Sequence, residues 1–371
     1  MKICFLTNEL SSKNGWGRYS ISLIDQIIKK GINCQVLVSV GAQDNELSWI
    51  EVYQVLPPLF TKRINKLFYL IKNYLRIRKL IQNSDIVHSL IEPYGPIAYL
   101  ALKNQPLFIT LHGTYAVDAL NKWYLKKIYS WVYKKARQIF CVSKFTQQKF
   151  LDNLPVQNTS VINNGIDYEK FQKFGDLGKS QEFNKTIISV GALTARKGYH
   201  ISIPAVAKVK RKYSNLKYYL IGNQEDKHYF YQLQNLVKKY NLENNIIFLE
   251  KISDDDLIKF YHQADLFLLT PVNIGQKFEG FGLVYLEANA CGRPVVGSYG
   301  CGAEDAIKDG FNGLLVPQSD IKKTSQAILK ILDSPVLSQM LGRNGRQRAR
   351  EMNWSNIVNQ YIQVYETVFK K

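Results

Sequence analysis

Short apolar runs rich in β-branched and aromatic residues recur along the chain. KICFLT, CQVLVSV, DIVHSL, PLFITLH and QIFCVS read as strands in the first half, with helix-length segments between most of them. The second half repeats the alternation with TIISVG, KYYLIG, NIIFLE, DLFLLT, RPVVGS and GLLVP. Two such βα series predict an α/β chain of two parallel sheets with helices on both faces. The pattern divides the chain into a first domain at 1–167, a weakly patterned linker at 168–185 and a second domain at 186–353. A helix at 354–371 has no strand after it and is free to pack anywhere, including back on the first domain. Ligands of open parallel sheets bind beyond the carboxyl ends of the strands, so two facing sheets predict a cleft between the domains.

Composition narrows the setting. The chain has 371 residues, 46% of them hydrophobic, and no run of 18 apolar residues. The start MKICFLTNEL lacks the basic, apolar and small-residue order of a signal peptide. The expected location is cytoplasmic, or on the cytosolic face of a membrane. Five cysteines form no C-x-x-C pair and read as small buried thiols of a reducing compartment. The net charge of +19 implies an acidic partner: nucleic acid, an anionic membrane surface or a phosphorylated ligand.

Candidate chemistry clusters where strands give way to helices. The segment EGFGLVYLEANACGRPV places Glu279 in a glycine-opened loop and Glu287 on a helix from Gly282 onward. At 100° per residue Glu287 falls between Leu283, Ala290 and Cys291 on the apolar face, with Tyr285 and Asn289 opposite. A carboxylate on a buried face needs a partner. The two carboxylates lie about a dozen ångströms apart along the axis, at ~1.5 Å per residue, which suits two ends of one polar ligand. In SVGALTARKGYH, Arg196 and Lys197 sit beside a helix start, as a phosphate clamp that needs no metal or as two solvated cations. Gly15 and Gly17 in NGWGRYS form either a structural turn or a loop that a phosphate approaches closely. His112, after the strand PLFITL, takes a cleft position at a strand's carboxyl end or packs as an ordinary histidine, and His88 has the same placement in DIVHSL. No histidine spacing suggests a metal site. The acidic run Asp254, Asp255 and Asp256 reads as the first turn of a helix capped by Ser253.

Two basic amphipathic segments remain. In TKRINKLFYLIKNYLRIRKL, Ile64, Leu67, Phe68, Ile71, Tyr74 and Leu75 share a face while Lys62, Lys66, Lys72, Arg76 and Lys79 cluster on the other. NKWYLKKIYSWVYKKARQ adds six cations with Trp123 and Trp131. Each is either a domain helix with a solvated basic face or a contact for an anionic interface.

Taken together, NGWGRY, LHGTY, VINNGIDYEKF, GALTARKG, FEGFGLVYLEANACGRPVV, DGFNGLLVP and MNWSNIVNQY resemble the retaining glycosyltransferases of family 4, over nearly the whole chain. The E-x(7)-E element from Glu279 to Glu287 is the most specific part. The resemblance implies the GT-B fold, two facing Rossmann-like domains with the acceptor on the first and the sugar nucleotide on the second, and the C-terminal helix crossing back to the first. It implies that Glu287 binds the ribose hydroxyls, and that Glu279 with the amides of Phe281, Gly282 and Leu283 holds the transferred sugar. It also implies that Arg196 and Lys197 bind the diphosphate, that His112 contacts the sugar, and that Gly15 and Gly17 lie under the donor phosphates. The chain departs from the pattern at Ala192, where many members carry a basic residue, so part of the phosphate clamp is expected to rest on Arg196 instead.

The expectation is a metal-independent hexosyltransferase without cofactor, using a UDP- or GDP-linked donor and a glycan or lipid-linked acceptor in cell-surface polysaccharide, lipopolysaccharide or glycolipid assembly. The acceptor side is expected along Asn8 to Tyr19, Glu92 to Pro96 and Thr114 to Asp118. Two alternatives stand beside it: a basic nucleic-acid-binding protein, for which no recognition motif is present, and a degenerate partner that only binds a sugar nucleotide.

Overall fold

The computed structural model describes residues 1–42, 45–47, 49–59, 63–174 and 185–369, with only the helical backbone for 63–67. The described chain divides into two compact units, Met1–Gly165 with Trp354–Lys371, and Ile166–Asn353.

The first unit holds seven parallel strands: β1 (Lys2–Leu6), β2 (Asn33–Ser39), β3 (Glu51–Leu56), β4 (Ile86–Ser89), β5 (Leu107–Leu111), β6 (Gln138–Cys141) and β7 (Thr159–Val161). Their order is β3-β2-β1-β4-β5-β6-β7. The second holds six: β8 (Thr186–Val190), β9 (Lys217–Ile221), β10 (Ile246–Leu249), β11 (Leu266–Leu268), β12 (Val295–Ser298) and β13 (Gly313–Val316), in the order β10-β9-β8-β11-β12-β13. In both sheets the winding reverses beside the first strand, between β1 and β4 and between β8 and β11. Such a reversal sends the connections of the two strands to opposite faces of the sheet, and it is at the carboxyl ends of these strands that open parallel sheets take their ligands.

Central strands such as β5 are buried along their whole length, because helices cover both faces of a parallel sheet. Two strands were not anticipated. EVYQVL (β3) begins with an exposed glutamate, and TSV (β7) is three half-buried residues; both are edge strands, where the apolar signal of double-sided burial fades.

Of the segment 168–185 expected as a linker, Tyr168–Gln172 forms a helix of the second unit. His262 Nε2 donates to the Phe171 carbonyl at 2.9 Å and Gln172 Nε2 to the Ala290 carbonyl at 2.5 Å. Residues 175–184 lie outside the described residues.

The helix Trp354–Phe369 packs on the helix Gly15–Lys29 of the first unit. Its buried Tyr361 and Tyr365 hydroxyls reach Tyr19 Oη at 2.9 Å and His88 Nδ1 at 2.6 Å, and His88 Nε2 lies 2.9 Å from Thr110 Oγ1. His88 is therefore a core residue, kept neutral by burial that pushes its pKa down to about 3. No described helix is long and apolar enough to cross a membrane.

Candidate active site

The second unit builds its site at the β8/β11 reversal. After β8 the chain makes a 3₁₀ turn, Ala195–Lys197, and then Gly198 at φ +75°. A Cβ at Gly198 would overlap the Thr270 carbonyl, so only glycine allows this turn to lie against the segment that leaves β11. That segment is stitched to the turn: Val272 N donates to the Arg196 carbonyl at 2.9 Å, and Thr270 Oγ1 to the Gly198 carbonyl at 3.2 Å. Farther along the same segment, Gly302 N binds the Glu279 carbonyl at 2.8 Å.

This packing brings three expected site residues into one cluster. The Glu279 carboxylate accepts from Lys197 Nζ at 2.5 Å and from Arg196 at 3.2 Å. Glu279 and Lys197 are buried, whereas Arg196 is about one-third exposed. Burial pushes the Glu279 pKa up, but the Lys197 and Arg196 charges outweigh it and hold the carboxyl below its ordinary range. Burial also pushes Lys197 down, and Glu279 counters that shift. Two cations against one carboxylate leave a net positive charge in this cluster, with Arg196 on its partly exposed side. Ala192, beside it, is exposed.

Next comes the helix Leu283–Ala290, entered through Gly282 at φ +83°. Glu287 is buried and accepts from the Tyr261 hydroxyl at 2.7 Å, which supplies a partner for that carboxylate. The expected polar face does not exist. Tyr285 and Asn289 are as buried as Glu287, since the helix is enclosed from Tyr285 onward and their polar atoms are used internally. The Tyr285 hydroxyl donates to the Leu269 carbonyl at 2.8 Å, and Asn289 Nδ2 to the Arg293 carbonyl at 3.0 Å. Phe281 is buried and Leu283 half-buried at the helix entry. The acidic run is likewise accounted for: Ser253 Oγ accepts from Asp256 N at 3.1 Å, and Lys170 and Lys173 pair with Asp254 and Asp255.

In the first unit the remaining candidates surround the β1/β4 reversal. The helix Gly15–Lys29 is capped by Asn14, whose side chain accepts from Gly17 N at 2.9 Å. A Cβ at Gly17 would overlap the Ser11 carbonyl, so this glycine serves internal packing. Gly15 has open space where its Cβ would stand, which leaves room for a ligand against the helix start.

His112 follows β5. Its Nε2 lies 2.7 Å from the Leu90 carbonyl, which can only accept, so Nε2 carries the proton and Nδ1 is the acceptor of a neutral ring. Burial holds its pKa down at about 4. Tyr19 meets the ring edge-on at 4.5 Å between centroids.

One residue behind His112 was named in the sequence only as part of a loop. Glu92 is buried, and its Oε1 accepts from His112 N at 2.6 Å. Its Oε2 is buried with no hydrogen-bond partner among the described residues, and burial pushes the carboxyl up to about 7. Nothing in IEPYGP signals this, because the contact joins positions 20 residues apart through the pairing of β4 with β5.

Each of the two open α/β units gathers polar groups at its strand reversal, the place where open parallel sheets bind ligands. Two family models match: Glycosyltransferase Family 4 over residues 13–170 and Glycosyl transferases group 1 over residues 172–348. The chain belongs to these group 1 glycosyltransferases. An uncharacterised glycosyltransferase of Methanocaldococcus jannaschii is 28% identical over 351 residues, covering 92% of this chain and 93% of that one. A capsular polysaccharide biosynthesis glycosyltransferase of Staphylococcus aureus is 28% identical over 64% of this chain and 63% of its own. Among solved structures, sucrose-phosphate synthase of Thermosynechococcus elongatus matches with a TM-score of 0.81 at 20% identity, covering 100% of this chain and 99% of that one. Anabaena HepE, solved with UDP and glucose, matches with 0.77 at 20%, over 99% of both.

Proposed function

We propose that this glycosyltransferase moves a hexose-type sugar, with retention of configuration and without a metal, from a UDP- or GDP-linked donor to a hydroxyl of a glycan or lipid-linked acceptor. The observation that carries the reading is the buried Glu279–Lys197 pair with Arg196 on its exposed side. Breaking the bond between the sugar carbon and the diphosphate oxygen moves negative charge onto the leaving group. Arg196 and Lys197 offset that charge from fixed positions, and Glu279 keeps Lys197 protonated so that its charge is present before the reaction starts. Glu287 takes the ribose hydroxyls, and the amides at the start of its helix face the sugar. His112, neutral and with Nδ1 as acceptor, receives a hydrogen bond from a hydroxyl rather than offering a charge. The acceptor oxygen forms its bond on the face the diphosphate leaves, and its proton passes to the departing phosphate oxygen. The donor class draws support from the UDP and glucose held by HepE, and the acceptor class from the capsular role in the name of the Staphylococcus relative.

The test is release of free nucleotide from a panel of UDP-, GDP- and ADP-sugars in chelator, by wild type and by Arg196→Ala. One donor should be turned over, with kcat falling on the order of 100-fold in the variant at unchanged thermal stability. A dependence on added divalent metal, or an Arg196→Ala enzyme as fast as wild type, would defeat the reading.

A further inference from the structure

The helix Arg63–Gln82 wears its apolar stripe on the outside. Phe68, Ile71 and Leu75, spaced three and four residues apart on one face, are exposed, Ile71 at 69% and Leu75 at 77%. The same helix turns Ile77 and Ile81 into the core. Ile64 and Leu67 of the apolar face read from the sequence, and Lys62 and Lys66 of the basic face, lie outside the described residues or have no described side chain.

A second exposed apolar set stands on the helix Trp123–Lys135, where Trp123 is 86% exposed and Ile128 and Trp131 are exposed as well. The short helix Gly95–Ala101 packs against both and adds exposed Leu100. Tyr74 donates to the Leu100 carbonyl at 2.8 Å, and the Tyr99 and Trp131 rings lie 4.4 Å apart, so the three helices form one layer of the first unit. Exposed Lys72 and Lys79 on one helix, and Lys126, Lys127, Lys134 and Lys135 on the other, flank the apolar residues. None of the three helices contains an aspartate or glutamate.

We propose that this layer is a docking surface for the anionic headgroups and outer acyl region of a lipid bilayer. Exposed leucine, isoleucine and tryptophan gain by entering the acyl boundary, while lysines beside them meet anionic headgroups. A nucleic-acid surface would use the lysines and leave the aliphatic side chains in water. A second copy of the same face would set lysines against lysines. The surface lies outside the residues assigned to the donor and does not depend on that assignment.

The experiment is vesicle flotation of the whole chain, on phosphatidylcholine alone and on phosphatidylcholine mixed with phosphatidylglycerol, with no turnover readout. Wild type should float only with the anionic vesicles. Trp123→Ser with Leu75→Ser, and separately Lys126→Glu with Lys127→Glu, should each weaken partitioning on the order of tenfold while leaving thermal unfolding unchanged. No flotation at low salt, or flotation unchanged by both variants, would overturn the proposal. So would tighter binding to duplex DNA that ignores the apolar variant, which would hand this face to nucleic acid.

Discussion

Lys197 Nζ lies 2.5 Å from the Glu279 carboxylate, although 82 residues separate them in the chain. The β8/β11 reversal makes them neighbours, and burial makes each dependent on the other. Glu279→Gln leaves Lys197 without its countercharge, and removing one partner of a buried pair costs about 3–5 kcal/mol. The double variant Lys197→Met, Glu279→Met should lose less than either single one, measured by denaturant unfolding of all four proteins. Because the Glu279 pKa is depressed in the fold, its stabilisation is complete above the ordinary value of 4.5 and is lost as pH falls through the folded value.

Glu92 behaves in the opposite sense. Its pKa is raised from 4.5 to about 7, so the fold holds the proton where the unfolded chain releases it. Stability from this group is complete below 4.5 and is lost as pH rises toward 7, by about 3 kcal/mol at 1.36 kcal/mol per unit. His88 and His112, depressed to about 3 and 4, oppose this by gaining stability as pH rises through the same window. The readout is therefore the difference between the wild-type and Glu92→Gln stability curves, which should grow between pH 4.5 and 7 in favour of the variant. Parallel curves would mean that Glu92 keeps an ordinary pKa.

The glycines of NGWGRYS should separate cleanly. Gly17→Ala forces a methyl group into the Ser11 carbonyl and should lower stability by more than about 2 kcal/mol. Gly15→Ala meets no neighbour and should leave stability within about 0.5 kcal/mol. If donor phosphates rest on that helix start, the same Gly15→Ala should raise the donor KM several-fold, which steady-state kinetics at fixed acceptor would detect.

Tyr261→Phe tests the support of Glu287. Loss of the 2.7 Å hydrogen bond inside the unit should cost about 1–2 kcal/mol of stability. If Glu287 binds the ribose as proposed, donor affinity, followed by calorimetry with the free nucleoside diphosphate, should fall with it, because Glu287 loses a hydrogen bond that helps to orient it.

Much of this was legible in advance, and the parts that were not share a cause. Among the described residues eleven of thirteen strands announce themselves as apolar runs. The central ones must be apolar because both faces are covered, and the edge strands β10 and β13 are apolar although half-buried, whereas the edge strands β3 and β7 carry too few apolar residues to stand out. Glu279, Glu287, Arg196 and Lys197 stand out as charges beside apolar or glycine-rich runs. Their pairing does not, since it depends on which strands become neighbours, and neither does the enclosure of Tyr285 and Asn289, whose hydrogen bonds run to distant carbonyls. Glu92 is the extreme case: an acid in a turn-like sequence that only the fold buries. The outward apolar stripe at Phe68, Ile71 and Leu75 reverses the ordinary expectation for an amphipathic helix, and periodicity alone cannot say which face looks inward.

The helix that supplies Tyr361 and Tyr365 has a bearing on synthesis. The strands it covers emerge from the ribosome first, yet the helix follows only after the intervening unit, Ile166–Asn353. At ~5–20 residues per second that interval is roughly 10–40 s. Throughout it, His88 and Tyr19 lack the hydroxyl partners, and Phe140 the aromatic cover, that they have in the finished protein. The unit translated second can therefore close before the first sheet has its full cover.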